Sequence, residues 1–353
     1  MKCSESVLCY FSFFWFKEVI EVNSRLQLVD LMPRRPCPRP EDISPCMCVY
    51  DEDDYQMDLD CSNVKNSTLL FEIFNFYPFP FKHFRKLTIY DNPSLYFLLD
   101  NVFGDIQFEE IIITRGVLQN VSDYALVNSY STLRILDLSD NQIKSFPFQE
   151  VSNFTLLETL DLSSNNLTSL TPLTSGSLKT LSLNHNFLSR MSADTLVGLS
   201  SLEEVHLAHV CLNYLPADTF ANLKNLRKII LINNILHNLT QDTFLLTTNF
   251  PVQFDLTSSH VNFVEVNAFA GLLPGSYITL FLNSLRTFEE EVWRPLLDKN
   301  VEVELGGNDL ECGCDVAWVV ENKTHFLPLM HDAVCYDGVK FQDLDPDFYI
   351  HYC

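Results

Sequence analysis

Two aspartates, Asp137 and Asp161, and two histidines, His185 and His209, are each separated by the same 24 residues. Asp140 and His206 lie three positions from one member of each pair. Carboxylates brought together either raise the pKa of one of them or take up a cation or a basic partner group. Spread over a wet surface they are solvated and do no more. Converging imidazoles suit a metal ion, which needs three or four ligands, or a binding patch whose charge changes near neutral pH. Two histidines and a displaced third are few for a metal, and the pH-sensitive patch fits them better. The sequence contains no GxGxxG, GxxxxGK, GxSxG, HExxH or CxxC, so no metal, cofactor or catalytic group is assigned, and an enzyme is the least supported class.

The shared interval belongs to a longer period. Written as LxxLxLxxNxL, clear copies are LRILDLSDNQI from Leu133, LETLDLSSNNL from Leu157 and LKTLSLNHNFL from Leu178. LEEVHLAHVCL from Leu202 and LRKIILINNIL from Leu226 follow, with degenerate copies from Phe84, Phe108, Pro251, Tyr277 and Asn300. The period predicts a short strand at each LxL, with alternate side chains turned into a core that only stacked neighbours can close. The ninth slot holds Asn92, Asn141, Asn165, Asn186, Asn234 and Asn308, a ladder of amides for the backbone of neighbouring turns. Gly116, Val210, Ser259 and Leu285 are expected to interrupt it. Phe220, Phe244 and Phe269 share the nineteenth slot and read as core. The pattern resembles the leucine-rich-repeat family. That implies an α/β solenoid with a parallel sheet on its concave face, an irregular or short-helical convex side and capped ends.

On such a sheet the fifth slot faces outward, which places Asp137 beside Asp161, and puts His206, Ile230 and Phe281 on the same face. The eighth slot puts Asp140, His185 and His209 in a neighbouring column. Ile230, Ile232 and Phe281 are candidate anchors for a protein partner if exposed, and ordinary core if loops cover them.

The cysteines frame the repeats. Of eleven, Cys3 and Cys9 lie in the first ten residues, Cys37, Cys46, Cys48 and Cys61 precede the repeats and Cys312, Cys314, Cys335 and Cys353 follow, leaving Cys211 between, read as an unpaired and partly shielded thiol. Each group contains a CxC and could hold zinc, but stapled ends on a cysteine-poor middle fit disulfides better. A bare solenoid end exposes core and strand edge, so QMDLDC is expected as the N-terminal edge strand and DVAWVVEN as a C-terminal helix. Sequence alone permits three pairings in each group. The pairing in capped members of the family is first to third and second to fourth. The resemblance therefore implies Cys37–Cys48, Cys46–Cys61, Cys312–Cys335 and Cys314–Cys353.

Residues 7–16, VLCYFSFFWF, fit the hydrophobic region of a signal peptide. The expected organisation is a signal at 1–22, a linker at 23–36, an N-terminal cap at 37–83, ten repeats at 84–310 and a C-terminal cap at 311–353. Sequons at Asn66, Asn120, Asn153, Asn166, Asn238 and Asn322 agree with export. No apolar run of 18 residues follows the signal, so a secreted chain without a membrane anchor is expected. With 23 Lys+Arg against 46 Asp+Glu, a charge of −23 argues against nucleic acid or an anionic membrane as partner.

The opening CPRPEDISPCMC, the following DLDCSNV and the aromatic NSTLLFEIFNFYPF narrow the likeness. They resemble the family of secreted arthropod proteins similar to the non-catalytic subunit of Oplophorus-luciferin 2-monooxygenase. That resemblance implies a non-enzymatic companion subunit binding an extracellular protein partner. The alternative is a free-standing recognition protein of immunity, adhesion or matrix.

Overall fold

The computed structural model describes residues 20–22, 25–27 and 36–353, so the expected signal and linker lie almost wholly outside the described residues. The chain divides into two units, Met1–Pro36 and Cys37–Cys353. In the first, Ile20–Val22 pairs antiparallel with Arg25–Gln27.

The second unit carries one sheet of thirteen strands. They are β1 (Met47–Tyr50), β2 (Met57–Asp60), β3 (His83–Tyr90), β4 (Gln107–Thr114), β5 (Ile135–Asp137), β6 (Thr159–Asp161) and β7 (Thr180–Ser182). They continue as β8 (Glu204–His206), β9 (Lys228–Ile230), β10 (Gln253–Asp255), β11 (Tyr277–Thr279), β12 (Glu302–Glu304) and β13 (Met330–His331). Each strand lies beside its chain neighbour, and all pairs are parallel except β1 with β2. Leu136, Leu160, Leu181, Val205 and Ile229 align across consecutive strands and are fully buried, because every second side chain points into the solenoid. The far side of the turns is irregular, tied by short parallel pairs such as Asn238–Leu239 with Phe263–Val264.

Aromatic stacking fills the second half of the core. Phe220 stacks on Phe244 at 6.0 Å and Phe244 on Phe269 at 5.1 Å. Trp293 continues this row, 6.3 Å from Phe269 and 4.9 Å from Phe288. Its place corrects the expected register of the ninth repeat. Tyr277 pairs with Gln253 and with Glu302, so that repeat begins at Gly275 and not at Tyr277. Trp293 then takes the nineteenth slot and Asn283, not Leu285, the ninth. The reason is period two: a slip by two residues leaves every strand side chain on the same face, so the apolar pattern of ITLFL admits both alignments.

The asparagines form the ladder. Asn165 Nδ2 donates to Leu138 O at 3.0 Å and Leu162 O at 3.1 Å, and its Oδ1 accepts from Ile143 N at 2.8 Å. Asn141, Asn186, Asn234 and Asn308 repeat this scheme, and Asn283 accepts from both Ser259 N and Val261 N. Such bonds are worth about 1 kcal/mol each, and they satisfy polar groups that would be costly to bury unpaired. Ser259 substitutes in part, its hydroxyl donating to Leu231 O at 2.7 Å.

Both ends are stapled. Cys37 is bonded to Cys48, Cys46 to Cys61, Cys312 to Cys335 and Cys314 to Cys353. At the N-terminal end the outermost strand is β1, and QMDLDC forms β2 inside it, so the expected edge strand is corrected. The short MCVY run flanking Cys48 supplies the true edge. Helix α1 (Ser67–Phe76), capped by Asn66 Oδ1 accepting from Leu69 N at 2.8 Å, buries Leu70, Ile73 and Phe74 beneath this end. At the other end a 3₁₀ turn at Cys314–Val316 leads into α2 (Ala317–Glu321), whose Trp318 donates from Nε1 to Phe288 O at 3.2 Å.

Candidate functional site

The outward face of the sheet is built from the third and fifth slots of each repeat, and the seventh follows as the strand ends. Asp137 and Asp161 are register partners, as their spacing requires. Each is occupied: Asp137 Oδ1 accepts from Ser139 N at 2.9 Å, and Asp161 Oδ1 from Ser163 N at 2.8 Å. Asp255 does the same with Thr257 N at 3.0 Å. The aspartates thus close the turns that end their own strands.

The eighth slot is a left-handed turn in every repeat, with φ near 54° at Asp91, Asp140, His185, His209, Asn233 and Leu282 and 71° at Gly307. Asp140, His185 and His209 therefore stand on a rim beyond the strand ends, which corrects their expected place on the sheet. The imidazoles of His185 and His209 stack with centroids 4.3 Å apart and planes 14° from parallel. Asn233 Nδ2 faces His209 Nε2 at 3.0 Å, which suits an unprotonated ring nitrogen. Burial first, and then the neighbouring His185, push the His209 pKa down. His206 stays on β8, bonded through Nε2 to Glu204 at 3.0 Å. The three histidines do not converge, and among the described residues no group of three or more His, Cys, Asp or Glu is placed to hold a metal.

Ile230 and Ile232 are half-buried on the concave side. In the corrected register Phe281 occupies the seventh slot with Ile232, and Thr279 takes the fifth. The Phe281 ring lies over Gly306 of the next turn, where an added Cβ would come within 2.9 Å of it. Cys211 is unpaired and exposed, not shielded, because its backbone is left-handed (φ 60°) and turns the side chain outward. Asn66, Asn120, Asn153, Asn238 and Asn322 are exposed, and Asn166 is half-buried.

One feature escaped the reading by leucines and asparagines. The second slot runs Arg85, Glu109, Arg134, Glu158, Lys179, Glu203 and Arg227, alternating in sign through seven repeats. Glu158 meets Arg134 at 3.3 Å and Lys179 at 3.2 Å, and Arg227 meets Glu203 at 3.7 Å. Arg85 binds Asp58 and, at 3.0 Å, Asp54, which raises its pKa further. Exposed pairs contribute little to stability singly, but the alternation gives the strand-entry side of the face a defined charge order. Comparing second slots down the repeats would have found it. At the far end Tyr277 Oη donates to Glu304 at 3.3 Å, and burial with that carboxylate pushes its pKa up to about 12. His331 stacks on Tyr277 at 5.5 Å and bonds Glu302 at 2.8 Å.

Comparison with known proteins agrees with this geometry. The leucine-rich-repeat profile matches residues 155–212 and 176–236, and the two-copy profile residues 131–175. The Oplophorus-luciferin 2-monooxygenase non-catalytic subunit of Oplophorus gracilirostris is 31% identical over 323 residues, covering 90% of this chain and 88% of that protein. The chain belongs to its family of leucine-rich-repeat proteins. Among solved structures this family member resembles a chain of the octameric complex of latrophilin 3, Unc5D and FLRT2, with a TM-score of 0.66 and 20% identity, over 84% of this chain and 91% of that one. A chain of the Drosophila Toll–Spätzle complex gives 0.54 at 19% identity over 76% of this chain, which spans 42% of that one. At these identities the likeness shows the fold.

Proposed function

We propose that the chain is a secreted, non-catalytic companion subunit that holds an extracellular protein partner on its concave sheet. The observation that carries this reading is the 31% identity along nine-tenths of the chain to a protein named a non-catalytic subunit. The concave face supports it with half-buried Ile230, Ile232 and Phe281, apolar groups with area left to bury against a partner. Four disulfides at the two ends fit an oxidising compartment, and six sequons fit passage through it. In this role the solenoid contributes recognition and stabilisation, and bond-making belongs to the companion.

The test is capture of the native protein from the fluid into which it is secreted, with stoichiometry of what co-elutes. A constant one-to-one companion, lost at least tenfold in an Ile230→Asp, Phe281→Asp variant of unchanged melting temperature, is expected. A chain that elutes alone ends the companion reading and leaves a free-standing recognition protein. A companion held equally well by the variant ends the concave assignment.

A further inference from the structure

The rim beyond the strand ends differs from the rest of this acidic chain. From the fourth repeat to the ninth, its eighth, tenth, twelfth and thirteenth slots contain no Asp or Glu, although the chain as a whole carries −23. Four of the nine histidines stand there in two facing pairs: His185 with His209 at 4.3 Å, and His237 with His260 at 6.0 Å. All four are exposed and left-handed, with φ of 54°, 56°, 45° and 57°. On the same rim Phe187 is 57% exposed and Ile235 39% exposed. An exposed imidazole–apolar strip on a surface otherwise rich in carboxylates is complementary to a ligand that is acidic and partly apolar.

We propose that this rim is a second docking surface, separate from the concave sheet, which takes an acidic peptide segment bearing apolar side chains from a protein partner as pH falls below neutrality. The apolar residues favour a peptide over a purely anionic glycan. The charged groups nearby leave the imidazoles available. Glu204 is engaged by His206, and Asp161 and Asp255 by backbone amides on the sheet side. Arg190 on the rim adds positive charge. Carboxylates return only at the ends of the strip, at Asp140 on one side and at Asp309 and Glu311 on the other, Glu311 being paired with Arg286 at 3.4 Å. With the imidazoles uncharged, the chain's net charge of −23 repels an acidic segment. Protonation of the imidazoles makes the rim positive, and at His209 burial and then the neighbouring His185 hold that step below the ordinary imidazole range. Stacked imidazoles resist double protonation, and a bound carboxylate removes that resistance, so binding draws in protons.

The test uses the full-length chain and a fluorescent 16-residue peptide of Glu with Leu at every fourth position, with Gln replacing Glu in a control peptide. Anisotropy at pH 5.8 and 7.4 reads affinity. At least tenfold tighter binding of the Glu peptide at pH 5.8 is expected, with no such gain for the Gln peptide. A His185→Asn, His209→Asn variant keeps residues that tolerate the left-handed turn and should lose most of that gain. An unchanged pH dependence in the variant, equal binding of both peptides, or a signal that ultracentrifugation traces to self-association overturns the proposal. Because the concave variant at Ile230 and Phe281 leaves the rim intact, its binding of the peptide separates failure of this site from failure of the companion reading.

Discussion

The stretch from Asn141 to Asn186 and the stretch from Val210 to Ser259 have the same strand register and equally buried cores, yet they satisfy their turns differently. In the first, each ladder amide accepts from the eleventh-slot N–H of the preceding repeat, as Asn165 does from Ile143 and Asn186 from Leu167. In the second, Val210 leaves Leu188 N–H without an acceptor among the described residues, and Ser259 serves Leu236 N through its backbone carbonyl at 2.9 Å. The difference shows that apolar stacking and parallel pairing place the repeats, and that the ladder adds stability to a register already set.

Removing the ladder where it is complete should have the largest effect. Asn165→Val strands Ile143 N in the core and takes one of two donors from Leu138 O and Leu162 O, which keep Asn141 at 3.1 Å and Asn186 at 2.9 Å. A loss of about 2–4 kcal/mol in denaturant-unfolding free energy, with the slope unchanged, is expected. A loss under about 0.5 kcal/mol would mean that the two stretches do not differ energetically. Gly116→Ala probes a gap of another kind, because an added Cβ there would stand 2.9 Å from Asn141 Oδ1 and 3.1 Å from Asn92 O. The cost should be about 1–3 kcal/mol, the range for forcing extra volume into a packed site. Val210→Asn should work in the opposite direction, supplying Leu188 N–H with the acceptor it lacks and raising stability by about 1 kcal/mol.

How legible these stretches are from sequence follows from the same physics. Repeats such as LETLDLSSNNL give strand, face and turn at once, because leucine and asparagine are each required by a buried slot. The start of the ninth repeat is ambiguous in sequence because GSYITLFLNSL has two period-two alignments, and only Asn283 and the left-handed Leu282 distinguish them. The rim is not legible in sequence because Asp140, Ser164, His185 and Arg115 share no side-chain chemistry, and what they have in common is a backbone angle. The β1 edge is not legible in MCVY because none of its side chains is buried, whereas MDLD of β2 alternates buried with half-buried residues. Of the candidate site, the histidine and aspartate columns follow from their 24-residue spacing, whereas the carboxylate-free rim emerges only when slots are compared across turns.

The smallest expected effect asks whether the solenoid opens as one unit. Tyr130, bonded to Glu150 at 2.9 Å just before the regular stretch, and Tyr277, beyond the irregular one, are both pushed up to about 12, by burial first and then by a carboxylate. The uncharged phenol is the form the fold favours. Its contribution is complete below the ordinary value of about 10 and is lost as pH rises from there to about 12. In a 295 nm titration Tyr130 and Tyr277 should give a late fraction near 12 that coincides with loss of far-ultraviolet dichroism. Glu150→Gln should advance only the Tyr130 part and Glu304→Gln only the Tyr277 part, each partially, since burial is the larger cause. If either variant advances both, the solenoid opens cooperatively across the ladder gap at Val210, and stacking alone couples its halves. Two independent late steps would instead make that gap a boundary between two separately melting stretches.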